Sequence, residues 1–267
     1  MRMPSGHYLP LNTFLHRLDA RTKIIGLFIL ILAIVQAEKL WSFIILFVFA
    51  FILIKIAQIN IRIIVQSLKN MLIFLTFILI MNFMFYEGET VLWQFWIVTF
   101  SLEGLQQGAM IALRMIYLIL VSNVLTTTTA PMEMTSALTY MLNPLRYLGV
   151  NVKNVALILN AAIQFIPTLI QDTDNIRKAQ IARGARFESK KLKDRIVSVL
   201  NLATPIFIVA FKRADELAMA MESRGYTGQG QRRLKPLRKF NGQDYIAISI
   251  NIAVYIVSIY IIKKWSD

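Results

Sequence analysis

The sequence contains no cysteine, which excludes disulfides, thiolate metal centres and cysteine nucleophiles. Its two histidines, His7 and His16, are too few for a histidine-built metal site. Nowhere does a glycine-rich phosphate loop with its lysine and following serine or threonine occur, so ATP binding is not expected of this chain. Carboxylate pairs able to hold magnesium and pyrophosphate are equally scarce. Asp172 and Asp174 stand close together, but a helix points them to different faces, and the expectation is a solvated helix start. No catalytic residue, metal site or cofactor is therefore expected, and an intramembrane lipid-modifying transferase, such as a prenyl or phosphatidyl transferase, is a secondary reading.

What the chain has instead is apolar surface. Of its 267 residues 57% are hydrophobic, a balance that fits a multi-spanning membrane protein in contact with lipid rather than a soluble globule. The formal charge is +14, and residues 146–240 hold 18 Lys or Arg against 7 Asp or Glu, an excess of 11. Such a surface suits anionic lipid, an acidic protein groove or nucleic acid. The basic positions lack the interleaved aromatics that single-stranded nucleic acid favours, so nucleic acid is not expected as a partner. A basic membrane adaptor remains a second alternative, and the positive-inside tendency accounts for the sign.

Ile24 to Ala37 and Leu40 to Ile54 form an expected membrane hairpin about the polar turn Glu38-Lys39. Both runs fall short of the roughly 20 residues that span hydrocarbon, so Lys23, Lys39 and Lys55 must reach towards the interfaces. Met71 to Tyr86 and Gly108 to Thr126 are the third and fourth spans, and Tyr245 to Ile262 is the last. Arg114, inside the fourth, must face protein or a polar partner. Trp93, Phe95, Trp96 and Phe100 mark Val91 to Phe100 as a headgroup-boundary segment. The basic leader, the apolar stretch from Ile24 and Val35-Gln36-Ala37 imitate a signal peptide with its cleavage site. The leader's length, Asp19, its two prolines and the later spans argue that it is retained.

Val155 to Ile170 and Ile196 to Phe211 are apolar too, but as 16-residue helices they would reach only about 24 Å against a core of about 30 Å. If both crossed, the basic stretch from Arg177 to Arg195 would lie outside, against the positive-inside bias. Residues 131–240 are accordingly expected on the cytoplasmic side as amphipathic helices under the inner leaflet. Pro131 opens the first of these, which runs to Asn143; Gly149 closes the next segment and Asn151 caps the one after. The methionine and leucine positions from Met134 to Leu145 recur at helical spacing and suit packing surface. Residues 226–244 are a polybasic connection back to the membrane. The expected fold is all-α and polytopic, with about five transmembrane helices and a cytoplasmic set of long amphipathic helices. Its parts are residues 1–128, the N-terminal segment and four spans; 129–240, the cytoplasmic region; and 241–267, the last span.

Within the basic region one pattern repeats. Asp174 to Arg183-Gly184 lies in register over Asp215 to Arg224-Gly225, with Ala179 over Ala220, four identities in eleven aligned positions. Glycine after a helix readily takes the left-handed conformation that closes the last turn, and arginine there complements the helix dipole. Two ordinary caps would suffice to explain each copy. The repeat suggests more: two guanidiniums projecting beyond two helix ends, each able to fork onto carboxylates or carbonyls in a partner with two related sockets.

The residues around this repeat, with several others in order along the chain, resemble the transmembrane T component of energy-coupling factor importers of vitamins and micronutrients. The resemblance is carried by Gly6-His-Tyr8-Leu-Pro10 with His16-Arg-Leu-Asp19-Ala-Arg21-Thr-Lys23, by Pro131-Met-Glu-Met-Thr135, by Pro144-Leu-Arg146-Tyr-Leu-Gly149 and by Phe165-Ile-Pro167. It is strongest from Ala179 to Glu188 and from Phe211 to Tyr226. It implies a multi-pass bacterial cell-membrane scaffold joining two ABC-type ATPase subunits to a separate membrane-embedded substrate-binding S component. The chain itself would bind no cofactor, Mg-ATP being held by the ATPases. The family's two Ala-Arg-Gly motifs, which end helices docked on the ATPases, fall on Ala182, Arg183 and Gly184 and on Ser223, Arg224 and Gly225. Asp174, Asp215 and Glu216 are expected to support them. Serine stands for alanine at 223, Ala20 stands where the family commonly has proline, and Gln164 where it has arginine.

Overall fold

The computed structural model describes residues 11, 13–86, 91–95, 98–144, 152–185, 187–189, 191–226 and 240–264. In chain order the elements are α1 (Phe14–Arg17), α2 (Ala20–Val35), α3 (Leu40–Ala57), α4 (Ile61–Phe85), β1 (Val91–Phe95), β2 (Val98–Ser101), α5 (Leu102–Thr128), α6 (Pro131–Met141), α7 (Val152–Ala182), α8 (Leu192–Glu222) and α9 (Gly242–Lys264). The expected all-α polytopic architecture holds, with one addition: the aromatic segment pairs as an antiparallel hairpin, Trp93 opposite Phe100 and Phe95 opposite Val98. β-branched and aromatic residues favour that pleated pairing. The motif at residues 6–10, the segment 145–151 with Gly149 and Asn151, and the polybasic run from Arg232 to Lys239 lie outside the described residues.

Among the described residues six helices have the length and apolarity to cross a bilayer: α3, α4, α5, α7, α8 and α9. The α2 helix, at 16 residues, is shorter. The two runs expected as 16-residue helices belong to helices of 31 residues each, about 46 Å long at the helical rise. Length therefore does not exclude a crossing by either. The apolar stretch ends near Ile170 and Phe211, but the helix continues through the polar residues that follow, most of them exposed and Asp172 and Arg213 half-buried. Pro167 and Pro205 are both accommodated inside these helices. The Asp172/Asp174 pair is consequently not a helix start but lies well within α7.

The chain forms two compact units, one made of α1–α5, the first part of α6 and α9, the other of α7 and α8. In the first, Leu30, Ala33 and Ile34 of α2, Phe43, Leu46 and Ala50 of α3 and Tyr117 and Val121 of α5 share one core. Gly104 and Gly108 on α5 let α4 approach closely: a Cβ on Gly104 would stand 2.4 Å from the Asn82 carbonyl oxygen. Small residues four apart bring helix backbones together in this way. Arg114 faces protein, donating from Nη2 to the Ala37 carbonyl at 2.7 Å; Ala37 follows α2, whose carboxy-terminal carbonyls lack helical donors.

The start of α2 is a buried polar knot. Asp19 caps the helix by accepting from the Arg21 backbone N–H at 2.8 Å and binds the same residue's guanidinium at 3.0 Å through both oxygens. Burial pushes the Asp19 carboxyl up, but the Arg21 bonds and the Arg21 and Lys23 charges more than reverse this, and it is held below the usual carboxylate range. Asp19 donates its own N–H to Asp244 of α9 at 2.9 Å, and the second Asp244 oxygen accepts from the Asn241 N–H. Arg21 stacks on Phe240 at 4.3 Å. Lys23 donates to the Thr128 carbonyl, at the end of α5, at 2.7 Å. The His16-to-Lys23 motif thus fastens α2 to α5 and α9.

Candidate functional site

Both Arg-Gly sequences terminate their helices in the same way. Gly184 has φ +88° and Gly225 φ +75°, the left-handed region where a side chain costs about 1–2 kcal/mol. Around the first, the Gly184 N–H bonds Ile181 O at 2.9 Å and the Ala185 N–H bonds Gln180 O at 2.9 Å. Around the second, the Gly225 N–H bonds Glu222 O at 2.8 Å and the Tyr226 N–H bonds Met221 O at 3.0 Å. These paired bonds, one spanning five residues outside one spanning three, form a Schellman closure that satisfies otherwise orphaned carbonyls. The two closures match bond for bond, 41 residues apart.

The closures place Arg183 and Arg224 at equivalent cap positions, both exposed. Each guanidinium stands at the negative pole of its own helix. Ala182 and Ser223 are exposed beside them, and Ser223 Oγ returns a bond to Ala220 O at 3.0 Å. No side-chain atom stands within 4 Å of where a Cβ on either glycine would sit. Glycine is thus favoured at both places by the backbone alone.

The α7–α8 connection is tied down close to the first end. Arg177 lies over the Phe187 ring at 5.7 Å, and Ser189 Oγ donates to Asp194 Oδ2 at 3.1 Å. A shallow pocket of about 320 Å³ opens here, lined on one side by Gln180, Arg183 and Gly184 and on the other by Lys193, Asp194 and Asn201. Further along, Arg213 of α8 donates from Nη2 and Nε to Asp172 Oδ2 of α7 at 2.7 and 3.1 Å. The end of α7 meets the start of α8 while Asp172 meets Arg213, so the two helices run antiparallel.

Antiparallel packing carries the two arginines apart. Each lies eleven residues beyond the ion pair on its own helix, about 16 Å at the helical rise, so the two ends lie on opposite sides of the pair, up to about 33 Å apart along the helix axes. Asp174, Asp215 and Glu216 are exposed, and Asp174 and Asp215 form no ion pair with the arginines. Nine residues is two and a half helical turns, which sets each aspartate on the face opposite its arginine. The Asp172–Arg213 pair joins the two helices, and the 41-residue offset that superposes the arginines also lays Asp172 over Arg213.

Comparison with known proteins follows the same residues. A family model described as "Cobalt transport protein" (CbiQ) matches residues 11–235, spanning both helix ends. An energy-coupling factor transporter transmembrane protein EcfT of Brevibacillus brevis is 38% identical over 253 residues, 94% of this chain and 95% of its own. EcfT of Heliobacterium modesticaldum is 37% identical over 260 residues, 97% of both chains, and EcfT of Bacillus subtilis 36% identical over 230 residues, 86% of both. With apolar helices suited to repeated membrane crossing and two matched helix ends inside the region of similarity, the chain belongs to the EcfT family, the transmembrane components of energy-coupling factor transporters.

Proposed function

We propose that this chain couples two ABC-type ATPase subunits to a membrane-embedded S component, and that Arg183 and Arg224 are its contacts with the ATPases. The observation that carries the reading is the pair of matched helix closures, each presenting an exposed arginine, at opposite ends of an antiparallel helix pair. Two like plugs at fixed separation suit a partner with two like sockets, as two copies or close relatives of one ATPase offer. Arginine's planar fork grips a carboxylate or carbonyl in a fixed orientation, and two stiff helices leading from the plugs transmit displacement rather than absorb it. Closure of the ATPase pair on ATP would then shift α7 and α8 and reorient the S component, delivering a vitamin or micronutrient inward.

The Arg-Gly ends and their helix face lie on the cytoplasmic side in this reading, where ATP is available and where the basic excess of residues 146–240 agrees with the positive-inside tendency. Catalysis is left to the partners: Mg-ATP binds the ATPases, and this chain moves force rather than bonds. Ala182, Gly184, Ser223 and Gly225 serve by closing the helix ends and leaving the arginines clear. Exposed Phe207 and Phe211 on α8 and Ile158 and Ile166 on α7 supply apolar surface for lipid and for the S component.

Substrate uptake by membranes carrying Arg183→Glu/Arg224→Glu tests the proposal. Loss of ATP-dependent uptake, with the variant present in the membrane at the wild-type level, is expected. Uptake at the wild-type rate would refute docking through these arginines.

A further inference from the structure

The repeat in α7 and α8 extends beyond the arginines. At an offset of 41 residues, half-buried Thr168, Leu169, Asp172, Ile176 and Gln180 map onto half-buried Val209, Ala210, Arg213, Leu217 and Met221. The exposed positions between them correspond as well, from Ile170/Phe211 to Arg183/Arg224, with the exception of Thr173/Ala214. Over their last four turns the two helices therefore turn the same face inward. Asp172 and Arg213 are equivalent positions in this register, and they bond to each other. When a residue of one helix meets its own counterpart on an antiparallel partner, that contact lies on the local two-fold axis relating them. The ion pair is thus at the crossing point, equally far along the chain from both arginines.

A homodimeric helix pair would place like residues at such an axis, and like charges there repel. Here the two positions have taken opposite charges. Both Arg213 donors converge on one carboxylate oxygen, and the pair keeps about 30% of its arginine and 27% of its aspartate side chain exposed. Among the described residues α7 and α8 fully bury only Val152, Ala156 and Ser198, so the half-buried face centred on the ion pair is where one helix holds the other.

Resting on the proposed docking role of the arginines, we infer that Asp172 and Arg213 are a positioning pair at the pivot of α7 and α8, setting the separation of the two docking ends. Movement imposed at one arginine is delivered to the rest of the helix pair only while the pivot holds. With it cut, the ATPases remain bound but their closure is spent on sliding the helices.

The chain's lack of cysteine makes the test direct. Lys178→Cys and Met219→Cys place spin labels at exposed, equivalent positions, one on each helix, in the purified transporter complex. The backgrounds are unchanged chain, Asp172→Asn, Asp172→Arg, Arg213→Asp and the exchange Asp172→Arg/Arg213→Asp. Each single change should broaden the label-to-label distance distribution and lower uptake per ATP hydrolysed about fivefold, an ordinary size for a coupling contact. The exchange should restore both, and co-purified ATPases should stay constant throughout. A distribution and a coupling ratio unmoved by the single changes, or an exchange that restores neither, would overturn the pivot. Failure of the docking reading would show differently, as ATPases absent from the unchanged chain, and the distance distributions would still decide the pivot.

Discussion

The same backbone device, a helix closed by a left-handed residue, occurs in both units and is built differently in each. In the first unit α3 ends at Gln58, with φ +53° and no glycine. The Gln58 N–H bonds Lys55 O and the Ile59 N–H bonds Ile54 O, the pattern seen at both Arg-Gly ends. Ile59 is buried, in one cluster with Ala57 and Ile64, and this packing holds a strained glutamine in place. Gly184 and Gly225 have no such cluster and rely on glycine to make the turn at low cost. Burial separates α2 from α7 and α8: nine of the 16 residues of α2 are buried, against three among the described residues of α7 and α8, while α4 of the first unit, with Ile64 alone buried, is as bare as they are. The core around α2 is stabilised from within, whereas α4, α7 and α8 leave faces for contacts that lipid or another surface must supply.

The difference can be broken most strongly at Asp244. Asp244→Ala leaves the N–H groups of Asp19 and Asn241 without their acceptor, and a buried unsatisfied donor costs about 1–3 kcal/mol. Thermal unfolding in detergent should shift down by several degrees, and amide exchange should rise at the start of α2. An unshifted transition would show that the knot is not what fastens α2 to α9. A smaller, local effect is expected at the coupling ends. Gly184→Ala and Gly225→Ala each force a side chain into the left-handed region for about 1–2 kcal/mol, accelerating exchange at residues 183–185 and 224–226 and reducing uptake, with the main unfolding transition unmoved. An equal shift of that transition would contradict the independence of the two ends from the bundle core. The smallest effect has the opposite sign: Gln58→Gly relieves strain that Ile59 burial now sustains and should stabilise the first unit by up to about 1 kcal/mol.

Much of this was legible in the sequence because it depends on short-range rules. Gly184 and Gly225 take the conformation their position after a helix implies; Asp19, Asn60 and Ser101 cap α2, α4 and α5 by an equally local rule, seen only once the helix starts are known. The lengths of α7 and α8 were not legible, since an apolar run reports where a helix meets oil and not where it ends. The polar stretches 171–178 and 212–216 continue both helices with most of their residues exposed. Nor was the Asp19–Asp244 contact, 225 residues apart in the chain, which no local pattern encodes. The Asp172–Arg213 pair lies between: its register was available, but only the antiparallel arrangement makes that register a contact.

Whether Arg183 and Arg224 hold ATPase subunits is decided by gentle purification of the tagged chain from its native membrane, beside an Arg183→Glu/Arg224→Glu form, with the accompanying proteins identified by mass spectrometry. ABC-type ATPases should accompany the unchanged chain and be lost from the variant while the membrane partner stays. ATPases retained equally by both forms would contradict the claim.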